Sequence, residues 1–149
     1  MKQLWLALVL AAALVPSARA EVWLNPGFYS HHFDKALNLN NNNHGLGVEV
    51  SITDTYSITA GVFENSDRAT SRYLGAYVMP YRLGALKAGV AVGAFNGYPQ
   101  MRNGGWFPAA VPTVAIEGSH VGLNVSFIPK IGDRVNSALA FQVKFKLVP

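Results

Sequence analysis

Three observations predict an all-β fold, an eight-stranded antiparallel up-and-down β-barrel of outer-membrane type, for most of this 149-residue chain. From Trp23 onward the dominant hydrophobic period is two, and the helical i, i+3, i+4 pattern is hard to find. Eight alternating segments follow one another, each about the 9–11 residues that a tilted strand needs to cross a bilayer. The connections alternate in length, as the long outer loops and tight periplasmic turns of outer-membrane barrels do.

The chain opens "MKQLWLALVLAAALVPSARA", with Lys2, an apolar run from Leu4 to Val15, and small residues at 18 and 20. This pattern predicts a secretory signal peptide over 1–20, removed after Ala20, and one barrel domain over 21–149. The expected strands lie near 22–33, 44–53, 55–64, 70–79, 85–96, 108–117, 120–129 and 137–148. In the second, Leu46, Val48, Val50 and Ile52 oppose Gly47, Glu49 and Ser51. In the seventh, Val121, Leu123, Val125 and Phe127 oppose Gly122, Asn124 and Ser126. The eighth puts Leu139, Phe141, Val143, Phe145 and Leu147 on one face and Ala138, Ala140, Gln142, Lys144 and Lys146 on the other.

Between strands, "DKALNLNNNN", "ENSDRA", "GYPQMRNGGW" and "PKIGDRVN" are the longer connections, and "TDT", "PYRLG" and "EGSH" the shorter. With a periplasmic N-terminus, all the longer ones fall on the cell-surface side. The tract Asn40 to Asn43 reads as an exposed loop tip. A soluble lipocalin-like barrel, apolar inward, is the competing reading. The final "FKLVP" departs from the aromatic residue on which outer-membrane barrels commonly finish.

Composition excludes several functions. Of the 12 Lys and Arg, Lys2 and Arg19 fall in the leader, so ten basic residues face eight acidic ones. That balance, with no interleaved aromatics, predicts no nucleic-acid partner. With no cysteine there is no disulfide, thiol nucleophile or acylated N-terminal Cys. The four histidines do not converge as one metal-ligand set, and no cofactor is expected. "GLGVEV" opens a strand without a following helix, so its glycines serve strand curvature rather than dinucleotide binding.

Topology suggests one reactive constellation. "YSHHFDK" ends the first strand and "FENSDR" the third, so His31 or His32 would meet Asn65, Ser66 and Asp67 at the same outer rim. A histidine beside a serine, with a polar or acidic orienting neighbour, is the minimum equipment for activating a hydroxyl in acyl transfer. Polar residues at strand-to-loop junctions are also normal. In the lumen, Gly89, Ala91 and Gly93 leave room for a small ligand or acyl chain, or Tyr73, Tyr77 and Phe95 fill it.

The run "PAAVPTVAIEGSHVGLNVSFIP", 108–129, resembles without a gap the corresponding segment of the PagP family of outer-membrane lipid A palmitoyltransferases. Weaker likeness extends to "FDK" at 33–35, "HGLGVEV", "FENS" at 63–66 and "ALAFQVKFKL". The resemblance implies a monomeric enzyme that moves an acyl chain from membrane phospholipid to lipid A, using His, Asp and Ser near the outer rim. Carried over by position, Ser66 matches the serine, Asn65 stands at the aspartate, and Asp67 follows the serine instead. Counting back from Asp34-Lys35 puts Phe28 at the histidine, so His31 or His32 takes that role through a gapped alignment, with His32 nearer the loop. Tyr77 stands at the pocket-floor glycine, and the amphipathic helix that precedes the family's barrel is missing.

The expected catalytic set is therefore His32, Asn65 and Ser66. The rival expectation, drawn from the same departures, is a non-catalytic barrel that binds lipid or stabilises the envelope. Pro108 and Pro112, four apart, aim at one neighbour if both lie within regular pairing and then predict a gap in hydrogen bonding toward the seventh strand; alternatively Pro108 begins the strand and Pro112 alone costs a bond. In PagP-like barrels such seams admit lipid laterally, which favours the first reading.

Overall fold

The computed structural model describes residues 20–148. The leader expectation for 1–20 lies almost wholly outside them. Eight strands, β1 (Val22–His32), β2 (Asn42–Ser51), β3 (Tyr56–Glu64), β4 (Thr70–Leu83), β5 (Leu86–Phe95), β6 (Phe107–Glu117), β7 (Val121–Ile128) and β8 (Ala138–Val148), pair in sequence order. Antiparallel pairing of β1 with β8 closes the barrel.

The polarity of the barrel is reversed relative to a soluble protein. Leu46, Ile58, Leu74, Ile116, Val143 and Phe145 point outward and are exposed, whereas Asn25, Asn43, Glu49, Asn65, Asn124 and Lys144 are buried inside. An apolar band of this extent is what lipid covers, and a soluble apolar-inward barrel would show the opposite alternation.

The connections 33–41, 65–69, 96–106 and 129–137 share one mouth, and the shorter 52–55, 84–85 and 118–120 share the other. The expected turn "PYRLG" is instead strand: β4 runs to Leu83, and only Gly84-Ala85 turn. Pro80 fits because the β4–β5 register shifts between Val78 and Tyr81, a bulge in which a missing backbone donor breaks no regular rung.

Two seams are incomplete. β6 pairs with β5 from Phe107 to Ile116, but with β7 only from Thr113 to Glu117. The half of β6 that carries Pro108 and Pro112 therefore lacks a ladder on the β7 side, where the proline spacing placed it. The β1–β8 ladder lapses between Leu24 and Tyr29. There Asn25 Nδ2 donates across the lumen side to Gln142 Oε1 at 3.4 Å.

The lumen is layered. Toward the short-turn end, Lys144 Nζ donates to both carboxylate oxygens of Glu49 (2.9 and 3.0 Å) and to Glu117 (2.6 Å), and Lys87 bonds Glu117 at 2.6 Å. The ammonium groups of Lys144 and Lys146 lie 4.8 and 4.7 Å from the Trp23 ring centroid. Above this charged layer, Tyr77 reaches Gln142, and Tyr73 reaches Asn25, each at 3.4 Å. Tyr73 explains a glycine of "GLGVEV": a Cβ at Gly47 would collide with the Tyr73 hydroxyl. That glycine makes room for a side chain crossing the lumen.

Candidate functional site

A break in the alternation of β1 decides which histidine faces inward. Trp23 and Asn25 point into the lumen, so strict alternation would bring His31 there. At Pro26-Gly27 the β1–β2 register slips, and Gly27 takes φ 102°, open to glycine but strained for other residues. The slip turns Phe28, Ser30 and His32 inward. His31 goes to the other face, edge-on to Phe33 with centroids 6.0 Å apart.

At the long-loop mouth His32 Nε2 lies 2.9 Å from Ser66 Oγ, and Nδ1 lies 2.7 Å from Asn41 Oδ1. A carbonyl oxygen only accepts, so the bond to Asn41 puts a proton on Nδ1. Nε2 then offers its lone pair to the Ser66 hydroxyl. His32 is buried and Ser66 half-buried. The array is a hydroxyl, a base and an orienting amide, the arrangement by which a serine is activated as a nucleophile.

The orienting group thus differs from the one expected. Asn65 is fully buried, but its Nδ2 donates to Ser71 Oγ and the Gly97 carbonyl, both at 2.9 Å. Its Oδ1 accepts from the Asp67 and Ala69 amides at 2.9 and 3.0 Å. Asn65 shapes the turn that presents Ser66 and does not touch His32. Asp67 is exposed, and the acceptor for the His32 Nδ1 proton is Asn41 Oδ1.

The asparagine tract, expected as a loop tip, is instead the frame of the site. Asn42 and Asn43 belong to β2. Asn43 is buried, accepts from Ser30 Oγ at 2.6 Å and donates to the Glu64 carbonyl at 2.8 Å. The Asn40 amide donates to the Ser66 carbonyl at 2.9 Å, and its side chain donates to Glu64 Oε1 at 3.1 Å. Because β2 lies between β1, which ends on His32, and β3, which leads into the Ser66 turn, its leading residues are the ones placed to bridge them.

Beneath the mouth, ring contacts run from Phe28 to Phe63, Tyr73, Phe95, Phe107 and Tyr98, with centroids 4.9 to 6.3 Å apart. Burial, reinforced by the Asp67 carboxylate, pushes the Tyr98 hydroxyl well above the usual phenol range, so it remains protonated. The lumen keeps an apolar cavity of about 110 Å³, lined by residues including Phe63, Tyr73, Tyr77, Gly93, Val111 and Ile128. Both lumen expectations hold in part: the small residues of β5 leave room, and the tyrosines of β4 take up much of it. Among the described residues no group of His, Asp and Glu side chains forms a metal-binding cluster.

Fold and site together define a small β-barrel of outer-membrane type with a Ser–His–Asn array at one mouth. No family model and no curated protein matches the chain. Among solved structures it is similar to the solution NMR structure of the de novo designed TMB2.3, a designed transmembrane β-barrel. The TM-score is 0.60 at 14% identity, over 90% of this chain and 100% of that one. This likeness concerns the fold alone, which is compatible with a membrane location.

Proposed function

We propose that this chain is an outer-membrane lipid acyltransferase that moves an acyl chain from a phospholipid to lipid A. The observation that carries the reading is the 2.9 Å contact between His32 Nε2 and Ser66 Oγ, with Nδ1 tethered to Asn41. The apolar cavity below, the incomplete β6–β7 seam beside it, and the resemblance of 108–129 to the PagP family support it. The signal-like leader fits export to that membrane.

In the first step Ser66 Oγ attacks the ester carbonyl of the phospholipid while His32 Nε2 takes the hydroxyl proton. The tetrahedral adduct collapses, the C–O bond to the glycerol breaks, and lysophospholipid leaves with the proton from His32. A lipid A hydroxyl then attacks the acyl–Ser66 ester, gives its proton to His32, and Ser66 regains it as the acyl chain departs. Each half is ester exchange at the same oxidation level and needs no cofactor. General-base help from His32 is worth roughly 10²–10⁴-fold in rate.

The test is mass spectrometry of lipid A from cells with and without the protein. Added acyl mass in the expressing cells supports the reading. An unchanged spectrum at verified outer-membrane abundance refutes it.

One observation favours a second reading, a non-catalytic barrel that binds lipid or stabilises the envelope. The cavity, at about 110 Å³, is well below the roughly 300 Å³ at which ordinary small-molecule pockets begin. Ser66→Ala separates the two: an unaltered lipid profile and envelope phenotype at unchanged barrel stability favours the second.

A further inference from the structure

Ser66 shares its turn with an arginine held in an unusual conformation. Arg68 has left-handed backbone, φ 61°, which glycine and asparagine adopt far more easily. Asn38, in the facing connection, has the same hand at φ 47° but is an asparagine. A long cationic side chain kept on a strained turn, two residues from a reactive hydroxyl, points to a ligand, because strain of this kind gathers at binding sites.

The guanidinium is largely uncommitted. Arg68 is exposed, and Nη1 donates to the Asn38 carbonyl at 3.1 Å, which occupies one of five N–H donors. Glu64 and Asp67 are near in sequence, yet among the described residues neither forms an ion pair with it. The ion pairs lie in the lumen and at the short-turn end: Arg82 with Asp54, Lys87 and Lys144 with Glu117, Lys144 with Glu49, and Lys146 with Glu21. Cations at that end are neutralised within the chain, whereas Arg68 keeps a planar fork that suits two phosphate oxygens at once.

We propose that Arg68 binds the phosphate of the phospholipid headgroup and so fixes the donor with its ester carbonyl above Ser66 and His32. The inference rests on the acyl-transfer reading of the same site. Its tie to Asn38 joins the 65–69 turn to the connection that carries Asn41, so the headgroup and the reactive pair share one frame.

Native mass spectrometry of the purified barrel in detergent tests this, with phosphatidylglycerol and diacylglycerol of equal chain length as probes. The wild type should retain the phospholipid in preference to the diacylglycerol. Arg68→Gln and Arg68→Gly should each lose that preference by about tenfold or more, and Arg68→Lys should keep part of it. Arg68→Gly also relieves the left-handed strain, so it should unfold no earlier than the wild type, and a melt run beside the retention assay separates lost lipid binding from lost fold. Wild-type retention in both Arg68→Gln and Arg68→Gly overturns the proposal. Complete displacement of the phospholipid by millimolar inorganic phosphate alone overturns the headgroup assignment in favour of free phosphate. Failure of the acyl-transfer reading shows elsewhere, as unchanged lipid A, and leaves this retention measurement standing.

Discussion

Lys144→Met should be among the most damaging single changes in the lumen. The ammonium is 1% exposed and meets two carboxylates, Glu49 at 4% and Glu117 at 11% side-chain exposure. Glu117 would keep Lys87 at 2.6 Å. Glu49 would keep only Ser57 Oγ at 3.2 Å and Asn124 Nδ2 at 3.3 Å, so one buried carboxylate loses its counter-charge. Removing one partner of a buried pair costs about 3–5 kcal/mol, which is roughly two to nearly four decades in the folding constant. Exchanging Glu49→Gln in the same chain removes the stranded charge and should recover at least about 2 kcal/mol. Urea unfolding from detergent micelles, in a background carrying both Trp5→Phe and Trp106→Phe, reads this through Trp23, whose ring centroid lies 4.8 Å from Lys144 Nζ. A Lys144→Met stability within about 1 kcal/mol of the wild type, or simple additivity of the two changes, would refute a stranded Glu49 charge.

Other expectations follow from the site and the bulge. Asn41→Ala frees Nδ1 of His32 and should lower acyl transfer by about 10- to 100-fold without unfolding the barrel, and Asn41→Asp should restore it; steady-state rates in micelles check both. Gly27→Ala puts a Cβ against the Asn43 carbonyl and Gly45 amide at φ 102°, so it should cost at least about 2 kcal/mol and reduce activity together with stability. Tyr77→Ala should enlarge the cavity and lengthen the acyl chain the barrel accepts, at a cost of about 3–5 kcal/mol; product masses with donors of graded chain length decide it.

Much of this structure is legible in the sequence because a barrel wall imposes one simple rule. Inward and outward residues must alternate along every strand, so Leu139 to Lys146 reads correctly by eye. The pairing of His32 with Ser66 is likewise legible from topology, since β1 and β3 end at the same mouth. What escapes is whatever departs from alternation. The choice between His31 and His32 depends on one break in the alternation of β1 at Pro26-Gly27, and that dipeptide is the signal available for it. Asn41 escaped because four asparagines in a row look like a solvated loop, although their place between the two strands makes them natural bridges. Pro80 marked a turn in the sequence, and the bulge absorbed it. The place of Asn65 beside Ser66 suggests an orienting role, whereas its hydrogen bonds to Ser71, the Gly97 carbonyl and the Asp67 and Ala69 amides depend on the folded turn.

Acyl transfer by Ser66 and His32 is the central claim. The direct measurement is a time course with purified protein in vesicles of phospholipid and lipid A, with lysophospholipid and acylated lipid A quantified by mass spectrometry. The wild type should form the two products in equal amounts, while Ser66→Ala and His32→Ala, folded to the same extent, should form them at least about 100-fold more slowly. Equal rates in all three proteins, or no product from any, would contradict it.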